Sequence, residues 1–278
     1  MTHHGVVDAS GALAWVAPVG VLLLLLIGHA LAIRRAERRR ARRWPVGRRV
    51  AVMLGLTLII TATTPPVVEW AAVDPRGHMA QHLLLGMFGP VAIVLGAPMT
   101  LVLAATPTAV ARRVTRALRA GAVRVLSHPL TAGLLHVVPL YVLYLTPLHD
   151  VMAEHAVVAV LVGVHMVAAG LLFAWALAGP DPAPHRPGPL ARLGVLVVAG
   201  SAHGILATVL YARTEGMSAT AALPTRQAAQ WMYYGGDLVD LVLATAILSA
   251  WYRARARRER GLGQAALPPG LPIRAAAG

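Results

Sequence analysis

The chain has 278 residues, of which 57% are hydrophobic and only 13% charged, and its formal net charge is +14. Soluble domains carry about twice that charged fraction, so composition points to a membrane protein and away from a soluble enzyme. With no cysteine, disulfides, thiolate metal sites and iron–sulfur clusters are excluded, and any soft-metal chemistry falls to the 12 histidines and 9 methionines.

Seven apolar segments follow in chain order. They run approximately Leu13–Ile33, Val46–Thr64, Met79–Leu103, Pro129–Thr146, Val151–Leu177, Leu190–Tyr211 and Ala229–Tyr252. Each is about 20 residues, long enough to cross a hydrocarbon core of roughly 30 Å. Their apolar runs are continuous rather than alternating, which favours helices over barrel strands. The expectation is an all-α integral membrane protein, a bundle of seven transmembrane helices over residues 1–260. Residues 261–278, rich in Pro, Gly and Ala, read as a disordered cytoplasmic tail.

The arginines set the orientation. All 25 basic residues are Arg; nine lie between Arg34 and Arg49 and five between Ala104 and Ser127. Arg186 lies in the connection from Ala178 to Pro189 and Arg192 just beyond it, and six more follow Tyr252. Only Arg76, Arg213 and Arg226 fall on the other side of a seven-helix arrangement. By the positive-inside rule the arginine-rich side is cytoplasmic, which puts the amino terminus outside and the carboxyl terminus in the cytoplasm. The first segment reads as a retained helix: no basic residue precedes it and an arginine cluster follows it. Arginines at membrane ends attract anionic lipid, so the charge is explained without nucleic acid.

Ionisable groups inside a membrane are costly and invite a functional reading. His78 and His82 are four residues apart at the head of the third segment and share one helix face. Met79 lies beside them, and His149, Asp150, Met152 and His155 gather near the head of the fifth segment at the same outer depth. Imidazole with nearby thioether and no thiolate suits copper, so His78, His82, His149, His155 and Met79 form a candidate metal site. A deeper layer holds His136, His165 and His203 on three different segments, with Asp237 and Asp240 three apart on the seventh. These groups are candidates for an inner site in which acids and histidines face each other, or for axial ligation of haem. A lone histidine in a helix is more often packed or hydrogen-bonded than a ligand. His29 reads that way, and His128 before Pro129 reads as a helix cap. His3, His4 and His185 read as solvated, and Met53, Met87 and Met99 as packing residues. No nucleophile motif or phosphate-binding glycine loop is present, so the chain does not read as an enzyme.

The stretch HMAQHLLLGMFGPVAIVLGAP, His78 to Pro98, resembles the signature of the CtaG-type cytochrome c oxidase assembly factors. Further similarities follow in order: Ser127-His128-Pro129, Gly170-Leu171-Leu172-Phe173 with Trp175, Gly179-Pro180-Asp181-Pro182, and Gln227 to Trp231 with Met232. Three departures stand out. Leu145-Thr146-Pro147 replaces a Trp-His pair before proline, Phe173-Ala174-Trp175 replaces an aromatic run, and Arg226 precedes Gln227. The resemblance implies a multi-pass protein of the bacterial cell membrane that assists assembly of a haem–copper oxidase. It implies copper binding or handover at the outer face, with oxidase subunits or copper chaperones as partners. Copper transport or resistance, and a His-ligated membrane haem protein, are the alternative readings.

Overall fold

The structure is a computed structural model that describes residues 9–183 and 186–265. His3, His4 and His185, and the expected tail beyond Ala265, lie outside the described residues. All regular structure among the described residues is helical. Five helical segments are long and apolar enough to cross a membrane, and seven spans result if each of two bent pairs is one span.

The first helix, α1 (Ala9–Arg40), lies at the periphery. Among its described side chains only Ile33 and Ala36 are buried, and with Trp44 just beyond its end they pack against Leu101 and Ala104. Leu23, Leu24 and Ile27 are exposed, as lipid-facing residues are.

α2 (Val46–Thr61) and α3 (Pro65–Val73) form one bent pair, turned by 55°. The cause is local: Pro65 and Pro66 lack N–H groups, and Thr64 before them is extended. The break frees carbonyls at membrane depth, where water is scarce. Thr63 Oγ1 donates to the Ile60 carbonyl at 2.8 Å and Thr64 Oγ1 to that of Thr61 at 2.7 Å. The Ala62 carbonyl, whose helical partner would be the nitrogen of Pro66, instead accepts Gln81 Nε2 at 2.8 Å.

The next span is continuous but not uniform. α4 (Pro75–Leu83) passes through a π turn, Leu84–Phe88, into α5 (Gly89–Leu95). Pro90 cannot donate to the Gly86 carbonyl, and Gly89 N–H reaches back five residues to Leu84 instead. At this turn α11 (Ala156–Leu177) comes so close that a side chain at Gly170 would strike the Gly86 carbonyl. The span stops at Gly96-Ala97-Pro98, where Ala97 is left-handed at φ 56° and wholly buried. Short helices α6 (Pro98–Ala105), α7 (Thr108–Leu118) and α8 (Gly121–Leu126) follow.

α9 (Pro129–Leu145) starts with His128 Nδ1 accepting from Leu130 N–H, a helix cap. It bends by 79° into α10 (Leu148–Glu154) at Thr146-Pro147. α11 (Ala156–Leu177), α12 (Pro189–Ala212) and α13 (Ala219–Ala265) complete the bundle. α13 remains helical to Ala265, past the start of the expected tail at 261. The main core joins α4, α5, α9, α11, α12 and α13 through Leu83, Met87, Leu140, Phe173, Leu206, Met232 and Leu243, among others.

The two ends of the bundle differ in chemistry. His78 stands in the first turn of α4, while the backbone of Arg48 lies against Gly96 at the far end of the same span. At 1.5 Å per residue they are roughly 27 Å apart along the axis. Arg48, Arg186, Arg192 and the arginines of α13 after Trp251 gather at one end; Asp74, His78 and His149 gather at the other.

Candidate functional site

The histidine end is tied down before any histidine is placed. Asp74 caps α4 by accepting from Arg76 N–H at 2.8 Å, and the Arg76 guanidinium closes on the same carboxylate. That pairing holds the Asp74 carboxyl down at about 2. Arg76 also reaches Gln227 Oε1 of α13 at 3.2 Å, and Trp70 of α3 meets Trp231 of α13 edge-on, centroids 6.3 Å apart. The mouth is therefore a braced structure built from α3, α4, α10 and α13.

A cavity of about 340 Å³ opens there, lined by Asp74, His78, Met79, Tyr144 and His149 among others. The His78 and His149 rings meet at 4.7 Å between centroids. His149 is half exposed, whereas the Nε2 of His78 is buried without a hydrogen-bond partner among the described residues. The bend after α9 makes this meeting possible, because it folds α10 across the head of α4. Arg213, the residue that follows α12, donates to the Tyr144 carbonyl, at 3.4 Å, beside that break.

One turn deeper, His82 is buried and shares no contact with His149. It stacks on His203 of α12, with centroids 5.9 Å apart and planes 21° from parallel. Tyr144 stands between the two levels, 5.7 Å from His78 and 6.2 Å from His82, edge-on to both. Both nitrogens of His82, Nε2 of His203 and the Tyr144 hydroxyl have no partner among the described residues. Such groups cost about 1–3 kcal/mol each when buried unpaired. Gly236 of α13 leaves the room in which the His203 ring lies; a side chain there would strike its Nδ1.

Deeper still, a small cavity of about 20 Å³ is lined by His82, His136 and His165 together with Gly86 and Met166. Its size suits one water or a bare ion. His136 stacks on Phe173 at 4.8 Å with planes 8° apart, and His165 Nε2 lies 3.2 Å from the Leu135 carbonyl. Tyr141 Oη donates to the Ala202 carbonyl at 2.7 Å, fastening α9 to α12 beside His203.

The structure thus separates the residues that spacing grouped. His78 joins His149, while His82 joins His203 and borders His136 and His165. Met79 is buried in the wall of the mouth. His155 is exposed at the head of α11 and does not line the mouth. Asp237 and Asp240 line a groove of about 770 Å³ between α12 and α13, with Gly200 and Gly204 opposite, and Gly200 makes room for the Asp240 carboxylate. Their side chains line that groove and not the histidine cavities. Among the described residues no three His, Asp or Glu side chains converge at metal-ligand spacing; the imidazoles come in pairs. Tyr144, Gln81 and the π turn were not singled out from sequence. Pro90 inside an apolar run and Thr146-Pro147 were the available signals.

Known proteins match this arrangement in sequence. Residues 27–254 match the model of the cytochrome c oxidase caa3 assembly factor family, Caa3_CtaG. The chain belongs to that CtaG family. It is a multi-pass protein of the bacterial cell membrane. An uncharacterized protein of Mycobacterium leprae is 33% identical over 204 residues, covering 71% of this chain and 31% of its own length. Uncharacterized proteins of Mycobacterium bovis and Mycobacterium tuberculosis are each 33% identical over 205 residues, with the same coverage. The chain thus spans about a third of the length of these curated relatives. No solved structure matches. The CtaG match contains every histidine of the mouth and core, while the first half of α1 and the end of α13 fall outside it.

Proposed function

We propose that this CtaG-family chain is a non-enzymatic assembly factor that passes copper, as cargo, toward a haem–copper cytochrome c oxidase. In this reading the mouth faces the outer side of the membrane, in keeping with the positive-inside rule applied to the arginine end. His78 and His149 receive the ion, with the thioether of Met79 in the same wall. His82 and His203 form a second station, with His136 and His165 around the small cavity beyond it. Tyr144 lies between the two stations. An oxidase subunit or a copper chaperone is the partner at the mouth.

The observation that carries the reading is the stacked His82–His203 pair, buried with ring nitrogens that have no partner among the described residues. Packed histidines normally find a hydrogen bond. Two neutral imidazoles can hold a cuprous ion without adding charge to a low-dielectric core, and a two-donor station releases its ion more readily than a closed four-ligand site. The small cavity beside His82 suits an ion better than a macrocycle, which favours copper over haem.

Complementation tests this function. In a deletion strain, the wild-type chain is expected to restore oxidase activity at low copper, and His82→Ala and His203→Ala are expected to fail. Added copper should rescue those variants at least in part. Full complementation by both variants at low copper would remove the inner pair from the pathway. A deletion that alters cellular copper but leaves oxidase activity intact would favour copper transport.

A further inference from the structure

The arginine end contains a cleft of about 980 Å³ that copper handling does not use. Its lining holds Arg48, Arg186, Arg192 and four arginines of α13 between residues 253 and 258, and no carboxylate. Four separate parts of the chain contribute: the head of α2, the connection before α12, the head of α12 and the end of α13.

The floor is the informative part. Arg192 is only 8% exposed. It donates to the Leu177 carbonyl at 2.5 Å, and its Nε has no partner among the described residues. Arg186 spends its donors on the carbonyls of Gly179, Trp175 and Asp181, and its Nε is likewise buried without a partner. The nearby Asp181 carboxylate favours the Arg186 cation through its charge but gives no hydrogen bond or salt bridge to either guanidinium. It accepts Thr100 N–H at 2.6 Å, Met99 N–H at 3.1 Å and Thr100 Oγ1 at 2.6 Å, capping α6. On the rim, Arg255 is paired with Glu259 at 2.9 Å. Burial and the neighbouring Arg192 pull the Arg186 guanidinium down to about 10. A buried cation, Arg192, and a half-buried one, Arg186, whose hydrogen bonds all go to neutral carbonyls, form a site short of negative charge.

We propose that this cleft binds a phosphate group, held by Arg186 and Arg192 at its floor and by the α13 arginines at its rim. Guanidinium forks match phosphate oxygens and pair with them in bidentate fashion. The phosphate of an anionic phospholipid and a free phosphate share this chemistry. Leu95, Ala246, Ala250 and Trp251 continue the lining as an apolar wall where acyl chains would lie, so the lipid is the source the cleft favours.

Thermal unfolding of the purified, delipidated full chain in neutral detergent tests this at constant ionic strength. The probes are short-chain phosphatidylglycerol, phosphatidylcholine and inorganic phosphate. Stabilisation by phosphatidylglycerol alone supports the site and assigns lipid as its occupant; equal stabilisation by inorganic phosphate supports the site and assigns free phosphate. Arg253→Gln with Arg257→Gln, on the exposed end of α13, should weaken the response about tenfold. Arg112→Gln with Arg116→Gln, on exposed α7, should leave it unchanged. An equal response to phosphatidylcholine, no response to any probe, or the same loss in both pairs of variants would overturn the proposal.

Discussion

At the arginine end, Arg186 and Arg192 hold backbone carbonyls and the remaining cations line an open cleft. In the histidine core, His82 and His203 lie stacked and buried with nitrogens that meet no partner among the described residues. The two regions show what each depth of a membrane permits. A permanent cation survives where carbonyls, water and lipid headgroups are within reach. A neutral imidazole can be buried between helices, but leaving it unpaired costs stability and asks for a reason. At the helix breaks the Ala62, Ile60 and Tyr144 carbonyls do receive side-chain partners, from Gln81, Thr63 and Arg213. Single unpaired buried atoms also occur among the described residues at His29, Trp44, His78, Tyr144, Trp175, Arg186 and Arg192; what sets the histidine pair apart is that both ring nitrogens of His82 lack a partner and its stacked neighbour His203 has a bare Nε2.

The largest expected effect breaks the core and spares the arginine end. Gly170→Leu would drive a side chain into the Gly86 carbonyl at the π turn. It should cost about 3 kcal/mol or more and lower the unfolding midpoint sharply. Next, Asp181→Ala removes the carboxylate that caps α6. A loss of about 1–2 kcal/mol is expected in denaturant unfolding, with the histidine stations intact. A third change moves the other way. His203→Leu keeps roughly the same volume and removes a buried unpaired nitrogen, so the metal-free protein should gain about 1 kcal/mol in the same assay. Destabilisation by this variant would mean that the ring has a structural partner.

The smallest effect concerns pH at the mouth. The folded-state value of Asp74, about 2, lies below its ordinary value near 3.8. Its contribution to folding is therefore complete above about 4 and lost as pH falls through about 2. Unfolding midpoints followed from pH 5 to pH 2 should show this loss in the wild type and a flatter profile in Asp74→Asn.

Hydropathy made the apolar segments legible, and the arginine pattern matched the structure in bringing Arg48, Arg186 and Arg253 to one end. The breaks were legible only as the ends of apolar runs, at Thr64 before Pro65-Pro66 and at Thr146 before Pro147, and not as bends inside a span. α3 lies beyond the end of the second apolar run, and the fifth run, beginning at Val151, joins the second half of α10 to α11. The grouping of His78 with His82 rested on helical spacing alone. What separates them is the surroundings: α10 folds over His78, while α12 presents His203 to His82. Neither neighbour can be read from the local sequence. Asp237 and Asp240 do share a face, but that face looks onto Gly200 and Gly204 in the groove. Hydropathy gives the depth of such residues and not the partner of each helix face.

The most direct test of the central claim is cuprous-ion binding to the purified full chain, by competition with a coloured chelator, for the wild type and for His82→Ala with His203→Ala. Copper retained by the wild type and lost from the double variant, with the fold unchanged by circular dichroism, is the predicted result. Equal copper retention by both proteins, or none by the wild type, would contradict the account.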